Sequence, residues 1–109
     1  MAGLDTTSAT VEWAMTEFLR NQEKLMKIKK ELQQVFNKDE KPKDSDIFKL
    51  TYLQAVVRET LRLHPKAPIL IHKSVAEVDI CGFRVPKDAQ VLVNVWSMGR
   101  DPGIWTDPN

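Results

Sequence analysis

The hydrophobic period of the chain changes at His64-Pro65. Before this point apolar residues recur every three to four positions, as on one face of a helix, and after it they recur every second position, as on a half-covered strand. That switch predicts an α+β chain, mainly helical, with the helices first and the strands afterwards. From Leu4 to Leu19 the residues Leu4, Val11, Ala14, Met15, Phe18 and Leu19 make one amphipathic helix, with Trp13 on the opposite side. A second helix over 23–36 carries Leu25, Ile28, Leu32, Val35 and Phe36, and its charged face places Lys27 and Glu31 four apart, a spacing that allows an ion pair. The stretch "NKDEKPKDSD", 37–46, has no apolar residue and reads as an exposed loop. Thr51 and Gln54 have the capping-box spacing for a third helix, which Pro65 ends because the residue before a proline avoids helical geometry.

Beyond Pro65, Ile69 to Val75 reads as a short strand, "VDICGFRVP" as two strands around a Cys-Gly turn, and Val91 to Val95 as a further strand. "GRDPGIWTDPN" reads as an irregular coil. The organisation expected is a helical part 4–64, a β-rich part 66–96 and a tail 97–109. A chain of 109 residues has room for one small core. Sixteen basic residues against fifteen acidic ones leave a net charge of +1, which gives no electrostatic footprint for nucleic acid. A single cysteine, Cys81, excludes an internal disulfide and a multi-cysteine zinc site, and no apolar run is long enough for a membrane span or signal peptide.

Within the third helix, "QAVVRETLRLHP" carries Glu59 and Arg62 three residues apart. At about 100° per residue, Leu50, Val56, Val57 and Leu61 gather near Leu53 on the wheel, and the two charges fall on the other face. Taken alone, that is a surface pair contributing about 0.2–0.5 kcal/mol.

Three segments change the meaning of that pair. "AGLDTTS" at 2–8, "ETLR" followed by "LHP" at 59–65, and "GRDPGIW" at 99–105, with "VPKDAQVLVNVW" between the last two, resemble cytochrome P450 monooxygenases of the plant microsomal type in both order and spacing. Within that family the likeness is greatest to hydroxylases of terpenoids such as geraniol. The resemblance implies haem as cofactor, an NADPH-dependent flavoprotein reductase and a small apolar substrate as partners, and attachment to the endoplasmic reticulum membrane for an intact family member.

The resemblance also implies roles for individual residues. Ala2 and Gly3 match the small residues that let the distal helix open beside the haem. Thr6 matches the hydroxyl that passes protons toward dioxygen, and Asp5 the acid that links it to solvent; a hydroxyl both donates and accepts, so it suits such a relay. Without the resemblance, Asp5, Thr6, Thr7 and Ser8 read as an N-cap cluster at a helix start. Glu59 and Arg62 match the family's Glu-x-x-Arg, a charge network completed by an arginine from a later segment. His72 matches a position that contacts a haem propionate, although Ile71 stands where the family usually has proline; without the resemblance it is an ordinary strand histidine. Ala67, Pro68, Ile69 and Leu70 match a substrate-lining segment, and are equally ordinary core.

Cys81 does not match the family's iron ligand, which sits in Phe-x-x-Gly-x-Arg-x-Cys-x-Gly. Ser74, Glu77, Asp79 and Phe83 occupy the positions that the motif requires, and acids stand where a thiolate needs positive charge. It reads as a hairpin-turn residue. No metal ligand is therefore expected among these residues. The chain is expected to be an internal fragment whose anchor lies upstream, whose network arginine and axial cysteine lie downstream of Asn109, and which is inactive alone. Once those segments are missing, Glu59 and Arg62 are expected to revert to a solvent-exposed pair. The rival reading is a non-enzymatic module in which the helices 4–19 and 23–36 form a hairpin that docks on a partner.

Overall fold

A computed structural model of the chain describes residues 2–36 and 41–109, with Ala2 described in its backbone only. It divides into two compact units, Met1–Lys66 and Ala67–Asn109.

The first unit is helical: α1 (Ala2–Arg20), α2 (Gln22–Val35), a 3-10 turn (Asp44–Lys49) and α3 (Thr51–Leu63). α1 begins earlier than its apolar stripe, so Asp5 to Ser8 lie inside the helix and the expected N-cap cluster does not cap it. Within this cluster Thr7 Oγ1 turns back along the helix instead, donating to Gly3 O at 2.8 Å, and further on Thr10 Oγ1 donates likewise to Thr6 O at 2.9 Å. Asn21 is the joint between α1 and α2. Its Nδ2 donates to Glu17 O at 3.0 Å while its own carbonyl accepts from Leu25 N at 3.1 Å, closing one helix and opening the next.

Residues 37–40 of the expected loop lie outside the described residues, and Asp44–Lys49 form a 3-10 turn rather than open coil. Asp46 organises that turn: its carboxylate accepts from Lys49 Nζ at 2.9 Å and Lys43 N at 3.0 Å. The Lys49 contact first, and the Lys43 amide second, hold the Asp46 carboxyl below its usual range.

The expected capping box does not form. Leu50 is the N-cap of α3, Thr51 is its first helical residue, and Gln54 Nε2 donates to Ile47 O at 2.8 Å. Glu31 of α2 takes over the capping by accepting from Tyr52 N and Leu53 N, and no Lys27–Glu31 ion pair forms.

Among the described residues of this unit, Phe18 from α1, Ile28 from α2, Leu50 before α3 and Thr60 within it are buried. Each helix contributes one buried side chain, and Thr60 satisfies its hydroxyl by donating to Val56 O at 2.8 Å. α1 and α2 therefore do not stand as a free hairpin, since both also pack on α3.

The second unit holds two small antiparallel sheets. β1 (Ile69–Lys73) pairs with β4 (Gln90–Asn94), with Ile69 opposite Asn94 and His72 opposite Val91; β2 (Val78–Ile80) pairs with β3 (Phe83–Val85). β1 stops two residues before the expected end. Ser74 N still donates to Ala89 O at 3.0 Å, but the Ala89 N–H goes to Ser74 Oγ at 2.9 Å while the Ser74 carbonyl accepts from Asp88 N at 2.9 Å, and Ser74 Oγ donates to Pro86 O at 2.6 Å. Cys81 and Gly82 form the expected β2–β3 turn, with φ of 53° and 83°, and Asp79 Oδ1 accepts from Gly82 N at 2.9 Å. α4 (Val95–Met98) follows β4, taking Val95 and Trp96 out of the expected β-rich part and Ser97 and Met98 out of the expected irregular tail, and is capped by Asn94 Oδ1 accepting from Ser97 N at 3.0 Å. Trp105 Nε1 donates to Met98 O at 3.0 Å, and the Arg100 guanidinium lies 4.4 Å from the Trp96 ring centroid.

Candidate functional site

α3 supplies the charged pair. Arg62 grips Glu59 with two parallel bonds, Nε to Oε2 at 2.8 Å and Nη2 to Oε1 at 2.6 Å, the fork geometry that a guanidinium and a carboxylate make best. The two side chains differ in environment: that of Arg62 is only 7% exposed, that of Glu59 52%. This corrects the expectation of a fully exposed pair. Arg62 lies low against the helices and Glu59 reaches out from it. The Arg62 bonds hold the Glu59 carboxyl below its usual range, partly opposed by desolvation and further supported by the charges of Arg62 and Lys24.

Glu59 also lines a cleft of about 340 Å³ among the three helices, with Glu17, Phe18, Lys24, Thr60 and His64 around it. At one end of the cleft, the His64 ring stacks on Trp13 with centroids 4.0 Å apart and planes at 5°, and its Nε2 lies 3.3 Å from Glu17 Oε1. Sequence reasoning missed this arrangement. Trp13 lies off the apolar stripe and His64 marks only a helix end, so nothing local pairs them.

At the start of α1, Gly3, Asp5 and Thr6 are exposed. A Cβ on Gly3 would meet nothing within 4 Å. Thr6 Oγ1 lies one turn along at 3.4 Å from Gly3 O, a long contact for a hydroxyl donor. Ala2, Gly3, Asp5 and Thr6 thus share the first turns of one helix.

His72 is exposed near the end of β1. Ala67, Pro68, Ile69 and Leu70 lead into the same strand and are exposed, with Ile69 at 49% and Leu70 at 40%. The Pro68 carbonyl accepts from Trp96 N at 3.1 Å, which ties this segment to α4. Cys81 is exposed in its turn, and no cluster of three or more His, Cys, Asp or Glu suited to a metal ion occurs among the described residues.

Comparison with known proteins decides the family. The family model described as Cytochrome P450 matches residues 1–109. The chain belongs to the cytochrome P450 family. It is 55% identical over 109 residues to cytochrome P450 76T24 of Catharanthus roseus, covering 99% of this chain and 22% of that protein. It is 50% identical over 109 residues to geraniol 8-hydroxylase of Swertia mussotii, again covering 99% of this chain and 22% of the relative. Among solved structures, a zebrafish cytochrome P450 with progesterone superposes with a TM-score of 0.94 at 35% identity, covering 98% of this chain and 26% of that one. The P450 chain described here thus spans about a fifth of the length of the curated relatives it matches. The α+β, mainly helical architecture is that of a cytochrome P450 fragment.

Proposed function

We propose that this chain is part of a haem-dependent monooxygenase that hydroxylates a small apolar, terpenoid-like substrate, using dioxygen and electrons from an NADPH-dependent flavoprotein reductase at the endoplasmic reticulum membrane. The observation that carries this reading is the half-identical match to geraniol 8-hydroxylase along almost the entire chain. Among the described residues no helix is long and apolar enough to cross a membrane.

The residues present fit one side of a haem site and not its axial ligation. Open space over Gly3 leaves room for a flat group against the helix, as Ala2 and Gly3 require in this reading. Cys81 does not fit as ligand: it occupies a tight turn whose Gly82 amide is already held by Asp79. The chain on its own is therefore inactive. Bound haem supplies dioxygen activation and insertion of one oxygen atom into a C–H bond. Toward that chemistry, Thr6 accepts a proton from water at Oγ1 and passes its own on, and Asp5, one residue earlier and exposed, exchanges protons with solvent. His72 would help hold the haem by donating a ring N–H to a propionate. Glu59 and Arg62 would supply two members of the charge network that supports the haem site. Ala67 to Leu70 present apolar surface to the substrate.

The test is a segment swap, in which this chain replaces the matching segment of geraniol 8-hydroxylase. The chimaera is expected to hydroxylate a small terpenoid alcohol, and Thr6→Ala in it should lower product formed per NADPH consumed, by up to the order of 100-fold expected for a lost proton relay. A folded, haem-loaded chimaera that oxidises no such alcohol would overturn the reading.

A further inference from the structure

The first turn of any helix leaves amide groups without partners inside the helix. In α3 the N-cap residue Leu50 has no side chain that can accept them. They are taken from another helix. Glu31 Oε1 accepts from Tyr52 N at 2.7 Å and from Thr51 Oγ1 at 3.3 Å, and Oε2 accepts from Leu53 N at 2.9 Å. One carboxylate thus holds two successive amides of a helix that begins twenty residues later in the chain.

Two bonds from two oxygens restrict more than one bond does. A single contact is a pivot about which α3 could turn, whereas a bridged pair of amides fixes both its rotation and its height. Rotation matters here because one residue corresponds to about 100° around the helix axis. A turn of that size would carry Arg62 out of the packed position where its side chain is 7% exposed and take Glu59 off the cleft. At the far end, His64 is held by Trp13 and Glu17 of α1. The charged pair therefore stands on a helix held at both ends by side chains of its neighbours.

We propose that Glu31 is a positioning residue for the Glu59–Arg62 pair: by bridging the first amides of α3 it sets the rotation of that helix and hence where the Arg62 guanidinium lies. Its importance to an enzyme rests on the reading of that pair as part of the haem-side charge network. Its action on α3 does not, and the two are tested apart.

The experiment is NMR on the 109-residue chain, comparing wild type with Glu31→Gln, Glu31→Asp and, as control, Lys27→Gln. Two signals are followed: amide exchange at Tyr52 and Leu53, and the shift and exchange of the Arg62 Nε–H that bonds Glu59. Glu31→Gln keeps one acceptor and loses the other, so amide exchange should quicken by on the order of tenfold and the Arg62 Nε–H signal should move and exchange faster. Glu31→Asp, a carboxylate on a shorter arm, should restore part of both, and Lys27→Gln neither. If only the amides respond, Glu31 is a local cap and the proposal fails; if neither signal responds, it fails outright. Should Glu31→Gln unfold, the Asp variant decides by the same two signals. The network reading is tested separately by Arg62→Lys in the chimaera, where loss of the fork should weaken the thiolate-type absorption of the reduced, CO-bound enzyme. An unchanged band there would sink that reading and leave the role of Glu31 standing.

Discussion

A carboxylate that accepts N–H donors does so better ionised than protonated, and Glu31, Asp46 and Glu59 in the helical unit are such groups. For Glu31 desolvation acts to raise the pKa, but the amides of Tyr52 and Leu53 and the Thr51 hydroxyl together outweigh it and leave the pKa lowered. Glu59 and Asp46 are lowered as well, by Arg62 and Lys49 first. A lowered folded-state pKa gives stability that is complete above the unfolded-chain value, about 4.3 for Glu, and is lost as pH falls through the lower folded value. Helical circular dichroism followed from pH 6 to pH 2.5 should show the loss on the acid side alone, and Glu31→Gln should flatten part of that limb. At the opposite end of α3, His64→Ala removes the stack on Trp13 and the contact with Glu17. Aromatic pairs of this kind contribute about 0.5–1.5 kcal/mol, so thermal unfolding should shift by that order and the Trp13 emission should move to the red.

Elements were legible wherever a side-chain period reports a local rule. Three long helices, the switch at Pro65 and the β2–β3 hairpin follow from spacing because burial along one face acts residue by residue. Helix ends were less legible, since a cap is a competition among all acceptors in reach. Thr51 and Gln54 have the right spacing and lose to Glu31, whose claim depends on how α2 packs on α3. Asp5 to Ser8 have cap chemistry and sit inside a helix. The Glu59–Arg62 spacing was visible, but the asymmetry in exposure between its members was not, because it depends on what packs around α3. In the β unit, Gly82 at φ 83° has open space for a Cβ yet an unfavourable backbone for one. Gly82→Ala should cost the β2–β3 hairpin about 1–2 kcal/mol, and Cys81→Asn should be tolerated, because asparagine accepts the φ of 53° there. Hydrogen exchange at Val78 to Val85 distinguishes the two.

At the scale of the whole molecule, the two units differ in what holds them together. Among the described residues the buried apolar side chains, Phe18, Ile28 and Leu50, all lie in the helical unit, while strands β1 and β2 are exposed along their length. Ile28→Ala should therefore unfold the helices at a cost near the lower end of the 2–5 kcal/mol range for core truncations, about 2 kcal/mol, because the centre is small. Amides of α1 to α3 should exchange more slowly than those of the strands. The Glu59–Arg62 pair and the segment 67–70 carry the same lesson: their spacing is visible in the sequence, whereas their exposure depends on what packs around them.

The most direct test of this account is the absorption of reduced, CO-treated samples prepared with haem, taken for the free chain, its Cys81→Ser variant and the geraniol 8-hydroxylase chimaera. The account predicts the thiolate-type band in the chimaera and none in either free chain. A band in the free chain that disappears with Cys81, or a folded chimaera without one, would contradict it.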